Sequence, residues 1–131
     1  MRALLAALFL IVSTVAPSWA AGLEKEPFSP ERFAALQADG ELVLVDIFAT
    51  WCPVCAEQQK VLAAYREANP GVRLHILEVD FDRHKEWVRQ FRAPRQSTLI
   101  LFRGKEQRWY AVAETRREAI FAALNDAASR K

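Results

Sequence analysis

Leu42 to Cys55 read LVLVDIFATWCPVC, and this stretch decides the fold. Its first half, Leu42 to Ala49, is almost continuously apolar and rich in β-branched residues. Such a run fits a strand buried on both faces, as in a parallel sheet. One polar residue, Asp46, interrupts it. After Cys52-Pro53 the period changes, and Val54, Gln58, Val61, Leu62 and Tyr65 recur at helical spacing among helix formers. Pro53 suits a first helical position, where its missing N–H would have had no partner. A buried strand therefore hands over to a helix at the two cysteines.

Toward the C-terminus, Asn69-Pro70-Gly71 ends that helix. Val72 to Asp80 alternates like a strand, His84 to Phe91 suits a short helix, and Ser97 to Arg103 is a second compact apolar strand. A turn at Gly104-Lys105 leads to a strand at Arg108–Val112. Thr115-x-x-Glu118 has the form of a capping box before a last helix with Ile120, Phe121 and Leu124 on its apolar side. Toward the N-terminus, Ser29-Pro30-Glu31 reads as the cap and first turn of a helix that Gly40 closes. Residues 21–27 read as polar and loose. The pattern predicts a single α/β domain of order β-α-β-α-β-β-α with an additional N-terminal helix.

The 131 residues carry 18 basic against 16 acidic side chains, too small an excess for a dedicated nucleic-acid binder. Two cysteines are too few for a disulfide scaffold or a four-cysteine zinc site. The apolar fraction of 52% is somewhat high for a soluble domain, and the first twenty residues hold the excess. Met1-Arg2 give a cationic start, Ala3 to Val15 are apolar except for Ser13 and Thr14, and Pro17 precedes Ser18-Trp19-Ala20. This is the order of a secretory signal peptide, with cleavage expected after Ala20. The apolar run is shorter than the roughly 18 residues of a membrane-spanning helix. The expected division is a signal peptide over residues 1–20 and a domain over residues 21–131. That signal would place the domain in the periplasm or otherwise outside the cytoplasm, where disulfides persist.

At a helix N-terminus, Cys52 would sit beside free N–H groups and the positive end of the dipole, which favour thiolate over thiol. Cys55, one turn further on, would lie close enough to bridge it. Three readings compete. As a structural staple the pair is weak, because closing a four-residue loop stabilises by only about 1.9 kcal/mol. As a metal site it has only His75 and His84 as nitrogen partners, at a spacing that matches no familiar zinc pattern. Reversible thiol–disulfide exchange needs one exposed low-pKa cysteine and a resolving cysteine within reach, and this reading fits best. Lowering a thiol pKa from about 8.5 to about 7 raises its neutral-pH thiolate fraction roughly sixteenfold. Nucleophilicity falls roughly fivefold over the same range, so the helix end tunes redox poise more than speed of attack.

The block from Asp46 to Cys55, followed by Ser97-Thr98-Leu99-Ile100-Leu101-Phe102, resembles the thioredoxin superfamily over about Leu42 to Leu124. More closely, the chain resembles the small exported thioredoxin-like proteins of bacteria. The resemblance implies a thioredoxin fold, a central mixed sheet flanked by helices. It implies that Cys52 attacks a substrate disulfide, that Cys55 resolves the mixed disulfide, and that Asp46 moves the proton of the buried second cysteine. A buried carboxylate has a raised pKa and can serve as a base near neutrality, whereas its alternative role is a hydrogen-bonded structural group. Trp51, Pro53, Val54, Ser97 and Thr98 would line the substrate groove. The implied partners are thiols and disulfides of exported proteins, with a membrane thiol conductor of the cytochrome c biogenesis type as electron source. The reading implies no cofactor, no resident metal and a monomer.

Three departures from the family pattern stand out. Ser97 occupies the place of the usual cis-proline, and Pro94 lies three residues too early. Without proline a cis bond costs about 2.5–4 kcal/mol, so a trans peptide is expected, with the serine hydroxyl and N–H offered beside the sulfurs. In some thioredoxin folds, loss of that proline opens the thiolates to metal or an iron–sulfur cluster. The lysine often found opposite the strand aspartate falls at Ile76, which would leave Asp46 without a cation and raise its pKa further. The glycine that usually lines the groove falls at Ala113, which would narrow the backbone approach.

The alternatives are a metal or iron–sulfur module on the same cysteines and a non-catalytic adaptor with a structural disulfide. Arg89, Arg92 and Arg95 read as a solvated face and loop, with partner docking as the alternative. Trp109-Tyr110 reads either as packing or as a recognition surface, and His75 as a structural residue.

Overall fold

The computed structural model describes residues 23–130, so the expected signal peptide over residues 1–20 lies outside the described residues. The chain runs β1 (Glu26–Pro27), α1 (Pro30–Ala38), β2 (Leu42–Phe48), α2 (Pro53–Ala68), β3 (Leu74–Asp80), α3 (Lys85–Gln90), β4 (Thr98–Arg103), β5 (Glu106–Val112) and α4 (Arg117–Ser129). Five strands form one sheet in the order β1-β3-β2-β4-β5. β2 pairs in parallel with β3 and antiparallel with β4, so the sheet is mixed, as the resemblance implied.

Alternation along β2 sorts the core into two layers. Leu42 and Leu44 face Leu62 and Tyr65 of α2 and Ile120 and Leu124 of α4. Val43, Val45 and Ile47 face the other way, onto Leu36 of α1, Val88 of α3 and Phe28. Continuing the alternation turns Asp46 toward α2. The same period that fills both layers thus aims the one polar residue of the strand under the helix that carries the cysteines.

The ends of the elements follow their residues. Ser29 Oγ accepts from the Arg32 N–H at 3.1 Å, and Pro30 opens α1. Gly40, at φ +72°, turns the chain left-handed after α1 and lets Glu41 N–H reach Leu36 O at 3.0 Å. The last helix departs from expectation. Its N-cap is Arg116, with no side-chain cap bond, and Glu114 instead accepts from Arg116 N–H at 2.8 Å. The Thr115–Glu118 capping box does not form because the helix begins one residue late for it.

The stretch expected to be loose is also ordered from Leu23 onward. Glu26 and Pro27 pair in parallel with Leu77 and Glu78, and Phe28 N–H donates to Glu78 O at 2.9 Å. Two residues are too short to show a period, and proline is tolerated there because β1 is an edge strand.

Candidate active site

Cys52 is the N-cap of α2, with extended backbone, and Pro53 takes the first helical position. The Cys52 sulfur accepts from Cys55 N–H at 3.1 Å, so a helix donor that would otherwise be orphaned is spent on the sulfur. The two cysteines are joined as a disulfide, with Cα atoms 5.3 Å apart. Cys52 exposes only 3% of its surface and Cys55 none, against the expectation of one exposed cysteine. Ala49, Phe48, Val54 and Phe81 pack around the pair and account for the difference. The neighbouring Trp51 is instead 57% exposed, and its indole N–H donates to Asp82 Oδ2 at 2.7 Å. Asp80 Oδ1 fixes the turn that presents Asp82 by accepting from the N–H groups of Asp82 and Arg83.

Asp46 is fully buried. Its Oδ2 accepts from Gln59 Nε2 at 3.0 Å and from Lys25 Nζ at 3.3 Å. Oδ1 has no hydrogen-bond partner among the described residues. Gln59 follows Cys55 by four residues on α2, so the two share one helix face, and that face is the one turned to Asp46. Burial pushes the Asp46 carboxyl above the usual range, while the Lys25 charge and the Gln59 hydrogen bond pull it back and Glu78 pushes it up again.

The expectation that Asp46 lacks a cation is therefore wrong on two counts. Ile76 lies opposite Leu44, and the residue paired with Asp46 across the parallel register is Glu78. The cation comes instead from the segment before β1. Lys25 pairs with both Asp46 and Glu78, and its Nζ sits 3.9 Å from the Phe48 ring centroid.

Ser97 precedes β4, and among the described residues every peptide bond is trans. Its φ of +61° places it in the left-handed region, as does the +56° of Ala113. Neither polar group of Ser97 is free for the sulfurs, contrary to expectation. Its N–H donates to Ile47 O at 2.8 Å, and its hydroxyl donates to Gln96 O. Thr98 Oγ1 likewise donates to Arg95 O at 2.7 Å, and both side chains are fully buried. Of the residues expected along the groove, Trp51 and Pro53 are exposed and Val54 half-buried, while Ser97 and Thr98 present no side-chain surface.

Gln58 carries no motif in the sequence, yet it is fully buried and joins the two left-handed segments. Its amide donates to Ser97 O at 3.1 Å and to Glu114 O at 3.0 Å, and Ala113 N–H also reaches Ser97 O at 2.8 Å.

The remaining candidates fall elsewhere. His75 lies between the carboxylates of Glu26 and Glu41, and His84 stacks on Trp87 with ring centroids 4.6 Å apart. Among the described residues no three His, Cys, Asp or Glu side chains converge on one point. Arg89, Arg92 and Arg95 are exposed. Trp109 packs on the core under α2 and α4, whereas Tyr110 is exposed and donates to Arg92 O at 2.9 Å.

Comparison with known proteins agrees with this arrangement. The family profile described as Thioredoxin matches residues 24–126. A thioredoxin of Chlamydia trachomatis is 43% identical over 79 residues, which cover 60% of this chain and 74% of that protein. The crystal structure of Trxlp from Edwardsiella tarda EIB202 superimposes with a TM-score of 0.71 at 40% identity, covering 77% of this chain and 98% of the other. A mutant thioredoxin from Halobacterium salinarum, at 19% identity and a TM-score of 0.67, shares the fold over 80% of this chain and 90% of its own. A buried strand that delivers a cysteine pair to a helix cap, in a mixed five-stranded sheet, is thus matched by sequence as well as by shape, and the chain belongs to the thioredoxin family of protein-disulfide oxidoreductases.

Proposed function

We propose that the protein is an exported, monomeric reductant of disulfides in other exported proteins, using Cys52 and Cys55. The observation that carries the reading is the sulfur of Cys52 at the α2 N-terminus, with the buried Asp46 carboxyl on the Cys55 side of the same helix. In the reduced protein the N–H groups at the helix end stabilise the Cys52 thiolate. Cys52 attacks a substrate disulfide, and one substrate sulfur leaves as a thiolate that solvent protonates. The Cys55 thiol then gives its proton to Asp46 Oδ1, the carboxylate oxygen without a partner. Its sulfur bonds to Cys52 and expels the second substrate sulfur. Two electrons pass from the cysteine pair to the substrate, and the protein is left with the Cys52–Cys55 disulfide.

Trp51, Pro53 and Val54 form the surface a partner meets, whereas the side chains of Ser97 and Thr98 are buried. A membrane thiol conductor of the cytochrome c biogenesis type would return the electrons. The preference for reduction over oxidation rests on the resemblance of the Asp46 context to that of reductants. Equilibration against glutathione tests the direction. A potential toward the reducing end, about −270 mV, is expected, and one near −120 mV would make the protein an oxidant. Export rests on the pattern of residues 1–20. Protein recovered from the periplasmic fraction is expected to begin at Ala21, and an intact Met1 on cytoplasmic protein would remove that part of the proposal.

A further inference from the structure

The segment before β1 reaches the buried end of the site. Lys25 bridges Asp46, which is fully buried, and Glu78, whose side chain is 31% exposed. Lys25 and Glu78 also form part of the wall of a cleft of about 510 Å³, together with Asp80 and His84. Among the described residues, the polar and ionisable groups that contact or pair with Asp46 are Lys25 from the N-terminal segment, Glu78 from β3, and Gln59 from α2, on the helix face it shares with Cys55. Its β4 neighbour Leu99 is apolar and brings no charge.

We propose that Lys25 and Glu78 are opposed positioning residues, with the N-terminal segment supplying the cation and β3 the anion that set when Asp46 holds a proton. The inference rests on the reading of Asp46 as the group that takes the Cys55 proton. Lys25 favours the Asp46 carboxylate by charge and hydrogen bond. Glu78 competes for the same ammonium and adds a like charge nearby, so it acts against ionisation. The cleft gives Lys25 and Glu78 contact with solvent that Asp46 lacks.

The two residues belong to one ion pair, which makes the test sharp. A purely structural bridge predicts that removing either end has the same effect. The proposal predicts opposite effects. In the reduced full-length protein, the carboxyl-carbon NMR titration of Asp46 is expected to move to higher pH in Lys25→Met and to lower pH in Glu78→Gln, each by about tenfold in proton affinity. Lys25→Arg should restore the wild-type position. Shifts of the same sign, or none, overturn the inference even if disulfide reduction is intact. Opposite shifts with no thiol exchange would uphold the charge arrangement and remove the functional reading beneath it. Should Lys25→Met fail to fold, the shift to lower pH in Glu78→Gln still gives a signed answer, with Lys25→Arg as its unshifted control.

Discussion

Replacing Cys55 with serine is expected to trap partner proteins on Cys52 as mixed disulfides that reducing agent releases, while replacing Cys52 with serine traps none. The asymmetry follows from position. Cys52 caps α2 and borders the exposed Trp51, whereas Cys55 lies one turn inside and is wholly buried. Only Cys52 can meet a second protein, and only Cys55 can release it. Both single variants should lose turnover by roughly a thousandfold or more, because the pair acts as a unit and either loss interrupts the same cycle. The distinguishing measurement is non-reducing electrophoresis followed by mass spectrometry of the captured species. Capture through Cys55, or none through Cys52, would sink the assignment and favour a structural disulfide. The trapped partners would also identify the substrates.

Asp46→Asn should make the folded protein more stable at pH 8 while slowing the release step about a hundredfold. Burial raises the folded carboxyl above its unfolded value of about 3.9. Between those two values the native state holds a proton that the unfolded chain has lost. Native stability therefore falls as pH rises through that window, and the fall is complete above the folded value. Asparagine carries no such penalty, and Lys25 keeps Glu78 as a partner when the carboxylate is gone. The gap between variant and wild type should thus be small near pH 4 and widen as pH rises toward 8. Urea unfolding of the two reduced proteins at both pH values measures it. Equal stabilities at pH 8 would mean that Lys25 and Gln59 fully compensate the buried charge.

These two outcomes concern residues that stand out in the sequence, and the reason they do is local. Asp46 interrupts a run of buried aliphatics, and Pro53 fixes a helix start beside Cys52. Such signals span a few residues and survive without knowledge of the fold. Lys25, Gln58, Gln59, Glu78 and Asp82 act only across the sheet or between elements, so nothing in their own neighbourhoods marks them. The misplacement of the opposing residue at Ile76 has the same origin. Parallel register depends on how far two strands slide past each other, and a shift of two residues keeps the same alternation while changing every partner. The strand at Glu26–Pro27 was hidden because its pairing depends on β3 alone. The expected use of the Ser97 hydroxyl failed because the backbone beside it had claimed the proton.

The amide of Gln58 has a consequence for partner choice. By holding Ser97 and Glu114 to the same helix turn, it ties two left-handed segments to the helix that carries the cysteines before any partner arrives. A docking protein then has little loop motion to arrest, and the entropy lost on association falls mainly on its own side. Selectivity is left to the exposed rim of Trp51 and Pro53. The chemistry sits in a rigid frame and recognition sits on a removable edge, so the rim can be exchanged to redirect the protein toward new clients while the exchange reaction stays the same.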